Sequence, residues 1–505
     1  MKKLNILILA AALLAFQACE LNLFPETDYN EGNVKVEAGD DGESDSQYKS
    51  REDMEGLRNS IYSSWVKDIQ EKGYLDWLVY ADCRADNAYG GNPGTGELMA
   101  IEANKQDGEN KNVVRDWDWY QGQVSNCNNI ICNIDRIKEA DANMTDREYR
   151  EWKSEAYCWR AWNLFQMSQI WGDIPLVNEI PPAITAENID KVYALYYPGR
   201  TARIDVYKQI VSELEFACEN APDMDAGNKC LFTKAFAHGM LARIYAEKTL
   251  RDWDKVIEHC TAIEGMGYSL CDEYGDMWAY DETDAARNTK ESIFEVTYTR
   301  SSGNWVWMMF HRNAYNPSDS YSWIKWITPS RDLIAAYDAE GDTARKNACI
   351  VYDECGWSNY YPAAQYAFMH KVPTNASSII LMRLAEIYLL HAEALTMQNE
   401  LDEAASYVNM IRNRAHLADL PASASANQDA MLDAVLKERR LELAFEGFRF
   451  FDLVRHDKAK AIHDAMPESD SYWNPRFPLS DETILMPIPQ TALDNNPNLE
   501  QNAGY

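Results

Sequence analysis

Apolar residues recur at every third or fourth position over long stretches of this chain, and that spacing most strongly constrains its fold. Residues spaced by about 3.6 positions lie on one face of an α-helix, so the spacing is typical of amphipathic helices. It is clearest over residues 51–70, 117–140, 147–171, 203–219, 231–248, 253–265, 379–396, 401–415 and 428–446. The sequence therefore predicts a mainly helical protein.

Two of the predicted helix pairs have related sequences. Residues 241–257 can be laid over residues 389–405, so that the four residues 253–256 fall on 401–404. Antiparallel helix pairs with a period of about 34 residues are typical of tetratricopeptide repeats, in which each pair buries its apolar face by stacking on the next. The match is weak, and unrelated amphipathic hairpins remain an alternative from this pattern alone.

Long irregular stretches separate the helical segments, and they exceed the length of ordinary connections. Loops of this length on a rigid scaffold often carry binding residues. We therefore expect one integrated domain over residues 51–505, in which function resides on the irregular parts. The insertions lie near residues 82–116, 267–330, 343–378 and 456–505, with a further irregular stretch at 172–202.

The first 19 residues predict export and lipidation. Residues 1–18 combine two lysines, an apolar stretch and a final Ala18, which is typical of a secretory signal peptide. The apolar stretch is shorter than the roughly 20 residues that span a membrane. A small residue followed directly by Cys19 is typical of a bacterial lipoprotein, in which cleavage leaves the cysteine acylated. Ordinary secretion with an incidental thiol is the alternative. Residues 19–50 read as a flexible acidic tether.

The charge of the chain argues against nucleic acid as a partner. It contains 48 Lys and Arg against 80 Asp and Glu, for a formal net charge of −32. Binding to nucleic acid rests largely on positive charge near phosphates, which this composition lacks. Ten cysteines follow Cys19, and their spacing does not determine any disulfide pairing. Cys158, Cys218 and Cys260 fall in helical patterns and are interpreted as buried thiols.

The common catalytic and metal-binding motifs are missing from the sequence. It has no HExxH, GxSxG, P-loop or GxGxxG motif and no Cys/His zinc spacing. The sequence therefore gives no support to the common hydrolytic, phosphate-binding and dinucleotide-binding functions, and we predict no metal site and no cofactor. A calcium ion could bind the oxygens of Asp281, Glu282 and Asp284, although a solvated loop is the simpler interpretation. A glycoside hydrolase needs only two carboxylates at a suitable separation. Such a pair always exists among so many acidic residues, so its presence would not indicate an enzyme.

Aromatic residues are concentrated in one irregular stretch, residues 305–326. Planar rings can stack on the C–H faces of a sugar while neighbouring polar groups bind its hydroxyls. Trp305 and Trp307 would share a face if the chain is extended there, as would Tyr321 and Trp323, and we predict that these four bind ligand. The alternative is that the rings form the core of a compact loop. The seven rings are Trp305, Trp307, Phe310, Tyr315, Tyr321, Trp323 and Trp326.

A second candidate site lies in the glycine-rich segment 82–91. Arg84, Asn87 and Tyr89 bring guanidinium, amide and phenol groups together there, and such groups suit sugar hydroxyls. A turn stabilised by its own side-chain hydrogen bonds explains the same residues equally well.

Five strings of the chain resemble the SusD/RagB family. The resemblance covers nearly the whole sequence after residue 18, and the last two strings are its most specific part. The strings are EAYCWRAWNLFQMSQIWGDIPLV (155–177), LFTKAFAHGMLARIYAEK (231–248), ILMRLAEIYLLHAEAL (380–395), ERRLELAFEGFRFFDLVR (438–455) and ILMPIPQTALDNNPNLEQNAGY (484–505).

The resemblance implies a non-enzymatic, surface-exposed lipoprotein of the Bacteroidetes outer membrane. Such a protein binds oligosaccharide or polysaccharide and delivers it to a SusC-type TonB-dependent transporter. The implied fold is mainly α, with tetratricopeptide-type helix pairs in a right-handed superhelix, long irregular loops and a few short strands. Glu446, Gly447, Arg449 and Asp452 match family positions, and we interpret them as structural because EGFRFFDLVR reads as a helix end relieved by Gly447.

Other functions stay open at this point. The ligand could be a glycoprotein or peptide, the protein could be an adhesive or structural surface lipoprotein, and a glycoside hydrolase is a more distant alternative. Within the family the aromatic site varies with the sugar, so no binding motif can be transferred to this chain. Few acidic residues follow directly after Cys19. The sequence therefore supports export to the cell surface less strongly than it supports lipidation of Cys19.

Overall fold

The computed structural model describes residues 47–91, 96–311, 326–354, 360–471, 473 and 476–505. The chain divides into two units, Met1–Lys49 and Ser50–Tyr505. The predicted signal peptide, Cys19 and nearly all of the tether lie outside the described residues, and those predictions stay predictions. In the ranges given, no helix is both long enough and apolar enough to cross a membrane.

Helices dominate the second unit. The helices of its first half are α1 (Arg51–Asp68), α2 (Asp76–Leu78), α3 (Gly96–Glu102), α4 (Lys111–Ile131), α5 (Ile134–Ala140), α6 (Asp146–Trp171), α7 (Ile189–Tyr196), α8 (Arg203–Asn220), α9 (Lys234–Ala246) and α10 (Trp253–Glu264). The helices of its second half are α11 (Arg331–Glu340), α12 (Thr343–Cys349), α13 (Leu384–Met397), α14 (Leu401–Arg414), α15 (Gln428–Glu442), α16 (Arg449–Arg455), α17 (Ala459–Ser469) and α18 (Gln490–Asn495).

The predicted helices agree closely with these bounds. Seven of the nine predicted segments coincide with one helix to within four residues at each end. Residues 117–140 form two helices, α4 and α5, with Cys132 and Asn133 between them. Local signals set the ends: Thr145 and Glu148 form a capping box at the start of α6. Gly172, with φ of +82°, ends the same helix.

The helices stack in antiparallel pairs, which confirms the predicted mainly α fold with tetratricopeptide-type pairs. The weak sequence repeat corresponds to the pairs α9–α10 and α13–α14, since Trp253 and Leu401 each begin the second helix of a pair. Glu264 at the end of α10 binds His391 of α13 at 2.9 Å and Tyr407 of α14 at 2.9 Å. A shared core joins α13, α14 and α15 and consists of Ala385, Leu389, Ala392, Leu395, Ala404, Val408, Ile411, Met431 and Val435.

Within the described ranges, six short strands form three antiparallel two-stranded sheets. The strands are β1 (Ala88–Gly90), β2 (Ser292–Val296), β3 (Ile327–Pro329), β4 (Ile350–Asp353), β5 (Tyr366–Met369) and β6 (Ile379–Arg383), in the pairs β1–β3, β2–β6 and β4–β5. Residues 379–383 were predicted to be helical, and this is wrong. A short apolar run fits a buried strand as well as a helix, and pairing with β2 decides the outcome.

A buried network of charges joins β6 to the helical pairs. The Arg383 guanidinium donates to Glu291 at 2.8 Å, to Glu442 at 2.6 Å and to Glu446 at 2.7 Å. Glu442 also binds Arg414 and Arg345. Burial opposes ionisation of Glu442, but the guanidinium groups of Arg414, Arg383 and Arg345 outweigh it and hold its pKa well below the usual value. All of these side chains are nearly inaccessible to solvent.

The segment after α15 has a structural role, as predicted for its family-matching residues. Glu446 binds Lys371 and Arg383, Arg449 binds Asp86, and Asp452 binds Arg439 and Arg455. Gly447 has φ of +84°, and a Cβ added there would lie 2.2 Å from Trp77 Cδ1. The indole N–H of Trp77 donates to the carbonyl of Gly447 at 2.9 Å. This position therefore requires glycine for both conformation and space.

The described cysteines are all free thiols. Cys158 and Cys260 are buried, as interpreted from the sequence, while Cys218 is only half-buried. Burial raises the pKa values of the Cys158 and Cys260 thiols well above the ordinary value. Protonated, buried thiols of this kind act as small apolar side chains. Cys355 lies outside the described residues.

Replacing Gly447 with alanine should strongly destabilise the protein. The new methyl group would clash with Trp77 and favour a different backbone conformation, at a cost of roughly 2 to 4 kcal/mol in the free energy of unfolding. Gly341→Ala is the matched control, because Gly341 also has a positive φ of +69° but has nothing within 4 Å of the added Cβ. It should cost about 1 kcal/mol. Urea unfolding measures both values, and equal losses would contradict the role of Trp77.

Replacing Arg383 with methionine should cost about 3 to 5 kcal/mol in unfolding free energy, because Glu291, Glu442 and Glu446 would each lose a buried counter-charge. Arg147→Met is the control, because it removes an exposed ion pair with Glu151 in which the Arg147 side chain is 79% accessible. It should change the free energy of unfolding by less than about 0.5 kcal/mol. Denaturant titration of both variants checks the difference. A mild effect at Arg383 would show that the network does not hold the fold.

Candidate functional site

The two segments predicted to bind ligand lie side by side. Strand β1 carries Tyr89, and β3 directly follows the aromatic stretch. Tyr89 is the register partner of Thr328, and the Gly91 N–H donates to the Trp326 carbonyl at 2.8 Å. Sequence spacing gave no reason to join these segments, which are more than 200 residues apart. The pairing of β1 with β3 therefore makes one candidate site from two.

A continuous series of ring contacts crosses this region, and we call it the aromatic run. Successive ring centroids are 5.1 Å apart from His311 to Phe368, 5.0 Å from Phe368 to Tyr366 and 5.6 Å from Tyr366 to Tyr361. Tyr361 is 6.3 Å from Tyr89, which stacks on Tyr360 at 4.5 Å and meets Trp473 at 4.4 Å. The members are His311, Phe368, Tyr366, Tyr361, Tyr89, Tyr360 and Trp473.

The rings of the aromatic run are buried and do not form an open surface on which a ligand could stack. Its rings are at most 9% accessible, the value of Tyr361. The Tyr89 hydroxyl donates to the Asp470 carboxylate and accepts from the backbone and side chain of Arg331, both at 3.1 Å. Burial and the Asp470 hydrogen bond raise the pKa of Tyr89. Arg331 also lies over Tyr361, with 4.4 Å between its guanidinium carbon and the ring centroid, and its side chain is 34% accessible.

Trp305 and Trp307 are both half-buried and lead directly into the aromatic run. They do not share a face as an extended chain would allow, so that part of the prediction is wrong. Trp305 caps a 3-10 helix, Val306–Met309, in which residues two apart point in different directions. The Trp305 N–H is fixed by the Gln70 side chain at 2.6 Å, and the Asn304 side chain accepts from the Trp307 N–H at 3.1 Å.

The other rings of the stretch divide into two groups. Phe310 is fully buried and belongs to the core, whereas Trp326 is half-buried beside β3. Tyr315, Tyr321 and Trp323 lie outside the described residues, so Tyr321 and Trp323 stay predictions. Among the described rings of this stretch, the indoles of Trp305, Trp307 and Trp326 are half-buried and so keep some access to solvent.

Arg84 and Asn87 are structural, which corrects the prediction that they bind ligand. Arg84 is 2% accessible and donates to the carbonyls of Thr483 and Ile484, both at 3.0 Å. Burial lowers the pKa of Arg84 to about 10. Asn87 is 1% accessible and donates to Asp82 at 2.8 Å. The turn is thus stabilised by its own side chains, the alternative that the sequence left open.

Tyr89 is also fully buried, so its ring cannot stack on a ligand from the surface. Its role is to support the site, because its neighbours in the aromatic run and Arg331 all rest on it. Sequence reasoning missed Tyr360, Tyr361 and Trp473. The adjacent pair Tyr360 and Tyr361 falls within the predicted insertion 343–378, and this aromatic pair in an irregular stretch was the available signal.

The acidic cluster considered for calcium forms a turn. The Asp281 carboxylate accepts from the N–H groups of Thr283 and Asp284 at 2.6 and 2.9 Å, and Asp284 binds Arg287. Hydrogen bonds from the Thr283 hydroxyl and from its backbone N–H lower the pKa of Asp281. Across the part of the chain that the structure describes, no group of three or more His, Cys, Asp or Glu side chains could hold a metal ion.

A polar recess lies between the start of α4 and α18. Its volume is about 640 Å³, and Lys111, Arg115, Asp118, Gln490 and Asp494 line it. None of the described residues around it is aromatic. It lacks the flat apolar surfaces on which sugar rings stack, so the region of the aromatic run is the better candidate.

Two family models match this chain. One is described as "SusD family" and matches residues 365–505, and the other is described as "Starch-binding associating with outer membrane" and matches residues 41–246. Together they cover more than half of the sequence. The chain belongs to the SusD/RagB family. The description of the second model gives the family an association with the outer membrane and a binding role, in agreement with the prediction that the protein is not an enzyme.

Individual relatives extend over almost the whole chain of this SusD/RagB member. SusD-like protein P2 of Formosa agariphila is 26% identical over 91% of this chain and 94% of its own length. A surface glycan-binding protein A from Bacteroides fluxus has a TM-score of 0.71 at 23% identity, covering 91% of this chain and all of its own. A laminarin-binding SusD-like protein gives 0.71 at 22% identity with the same coverage. These structural likenesses confirm the fold.

His370 makes the stability of this region depend on pH. Its ring lies 5.4 Å from His311 and 5.7 Å from Tyr280. Burial, with a smaller contribution from His311, lowers the pKa of His370 to about 4. A histidine in an unfolded chain has a pKa of about 6.5. Between these values the unfolded state binds more protons at this residue than the folded state, so stability falls as the pH falls from 6.5 towards 4.

Replacing His370 with phenylalanine should therefore reduce the loss of stability between pH 6.5 and pH 4.5 by about 2 kcal/mol. Urea unfolding at both pH values measures it. A His370→Phe protein with the wild-type loss would show that this histidine is not the titrating group.

Proposed function

We propose that this protein is a glycan-binding lipoprotein of the outer membrane that captures oligosaccharide or polysaccharide and delivers it to a SusC-type TonB-dependent transporter. Acylation at Cys19 would anchor it, and residues 20–50 would tether the folded unit at the cell surface. Family membership supports this proposal, as do two structural relatives, a surface glycan-binding protein and a laminarin-binding SusD-like protein.

The half-buried indoles of Trp305 and Trp307, which precede His311 of the aromatic run in sequence, are the observation that supports glycan as the ligand. Trp305 and Trp307 are partly accessible, and their backbone N–H groups donate to the side chains of Gln70 and Asn304, which fixes the backbone that holds them. Rings that are already held in place lose little conformational entropy on binding. Flat apolar faces in polar surroundings suit the C–H faces of a pyranose. We propose Trp305, Trp307, Tyr321 and Trp323 as the ligand-contacting residues.

Weak intrinsic affinity is consistent with this function. Each stacking contact contributes little, and sugar hydroxyls exchange their hydrogen bonds with water at small net gain. Several rings acting on one polysaccharide raise the total affinity, since neighbouring sugar units bind at high effective concentration. Capture on a surface and transfer to a transporter require binding that is reversible, and shallow stacking provides it.

Replacing Trp305 or Trp307 with alanine should weaken glycan binding by about 1 kcal/mol each, roughly fivefold, and the triple variant with Trp323→Ala should bind far less. Affinity electrophoresis against a panel of polysaccharides finds the ligand, and calorimetry with its oligosaccharides gives the dissociation constants. Stability should change little, because the indoles of Trp305 and Trp307 are already partly exposed.

Trp253→Ala is the matched control, because Trp253 is also half-buried but lies at the start of α10 in a helix pair. It should leave glycan binding unchanged. Undiminished binding by the triple variant would move the site away from this stretch. Binding to glycoprotein or peptide but to no free glycan would favour the alternative ligand class. Release of new reducing ends from the bound glycan would favour a hydrolase.

A further inference from the structure

Two histidines from the two helices of one pair lie in contact. His238 belongs to α9 and His259 to α10, and their Nδ1 atoms are 3.0 Å apart. The ring centroids are 5.2 Å apart, with an angle of 46° between the ring planes. The two residues are 21 positions apart in the sequence and match no zinc-binding spacing, so only the folded helix pair brings them together.

Both imidazoles are neutral near pH 7 and have lone pairs to offer a cation. Burial lowers the pKa of His238, and burial together with the charge of His238 lowers the pKa of His259 to about 4. A neutral imidazole carries one N–H and one lone pair, so at 3.0 Å one Nδ1–H donates to the other Nδ1. If the donating ring moves its proton to Nε2, both Nδ1 atoms become available as ligands, and no proton has to leave the protein.

The distance between the two nitrogens suits a transition-metal ion. Imidazole nitrogens lie about 2.0 to 2.1 Å from such an ion. At that bond length, nitrogens 3.0 Å apart subtend an angle of roughly 95° at the ion, close to the angle between neighbouring ligands in a tetragonal Cu²⁺ or Ni²⁺ site. A tetrahedral Zn²⁺ ion would require the two nitrogens to move slightly apart. Among these ions, Cu²⁺ also binds nitrogen ligands most tightly.

The surroundings hold the pair in place and leave it open to solvent on one side. The Tyr245 ring stacks on His259, with 5.8 Å between the centroids and 16° between the planes. His259 is 6% accessible, whereas His238 is half-buried and can be reached by a hydrated ion. The negative charge of Glu258 acts on both imidazoles. Glu258 is paired with Lys255 at 2.7 Å, but the chain as a whole has a net charge of −32, which attracts cations.

We propose that His238 and His259 form a binding site for a divalent transition-metal cation, at which Cu²⁺ binds more tightly than Ni²⁺ or Zn²⁺. No third ligating side chain joins the pair within the described ranges, so water fills the other coordination positions and the ion can exchange. The bound ion joins α9 to α10 and stabilises the folded state, to which alone it binds through both rings. The site lies on the helical scaffold and is independent of the proposed glycan function.

The test uses the full-length protein with Cys132→Ser, which removes an exposed thiol that could bind or reduce Cu²⁺. After treatment with EDTA and dialysis, the protein is titrated in a calorimeter with CuCl₂, ZnCl₂ or CaCl₂. Cu²⁺ should occupy one site of highest affinity per chain and raise the melting temperature. Zn²⁺ should bind more weakly, and Ca²⁺ should not compete, because it prefers oxygen ligands. Electron paramagnetic resonance of the Cu²⁺ complex should show two imidazole nitrogens.

His238→Gln and His259→Gln each remove one of the two ligands. Loss of an outer partner of a metal ligand typically costs 10- to 100-fold in metal affinity, so loss of a ligand itself should weaken Cu²⁺ binding by at least about tenfold. His416→Gln is the matched control, because His416 is 63% accessible and pairs with Glu273 instead of a second histidine. It should bind Cu²⁺ like wild type.

Several results would overturn the site. A wild-type protein that binds no Cu²⁺, or whose spectrum lacks two imidazole nitrogens, would do so without reference to any variant. A single variant that keeps the wild-type affinity would also overturn it, and loss of binding in His416→Gln would place the ion on that surface histidine. Ca²⁺ that competes equally with Cu²⁺ would assign the ion to carboxylates. If a variant is unfolded, as its melting temperature in EDTA would reveal, the wild-type spectrum decides.

Discussion

The buried pairing of Arg383 with three glutamates is the constraint on which the rest of this structure depends. Arg383 ends β6, while its partners lie before β2, at the end of α15 and in the turn that follows. A charge held away from water is costly unless it meets its counter-charge at close range. The strands and the helical pairs must therefore adopt one relative position, which hydrophobic contact alone would leave adjustable.

Buried ion pairs also connect the helical scaffold to the candidate site. Arg440 of α15 and Arg449 of α16 both bind Asp86, and Arg440 also donates to the Asn87 side chain at 3.0 Å. These two arginines lower the pKa of Asp86 despite its burial. The segment before β1 is thereby fixed to the helices, and β1 in turn holds Tyr89 and β3. These ion pairs fix the segment before β1 to the paired helices, so the irregular insertions are held on a rigid scaffold.

The aromatic residues of the helical scaffold and those of the irregular insertions differ in their burial and packing. In the helical part, Trp65, Trp159 and Trp162 are fully buried and pack edge-on or stacked against one another. In the insertions, the rings of the aromatic run are buried, whereas the indoles of Trp305, Trp307 and Trp326 are half-buried. A high content of Trp and Tyr therefore does not by itself indicate a binding surface, since most of these rings have no free face.

The sequence by itself determined most of the helices, because 3.6-residue periodicity, caps such as Thr145 and stops such as Gly172 act within a few positions along the chain. It also placed the candidate rings in an insertion, and its strings identified the family. Only the tertiary structure decided that residues 379–383 form a strand, that Arg84 and Asn87 are buried, and that Tyr89 lies among rings from residues 311 to 473. Burial and strand pairing depend on contacts between distant residues, and local spacing carries no record of which distant residue will be the partner.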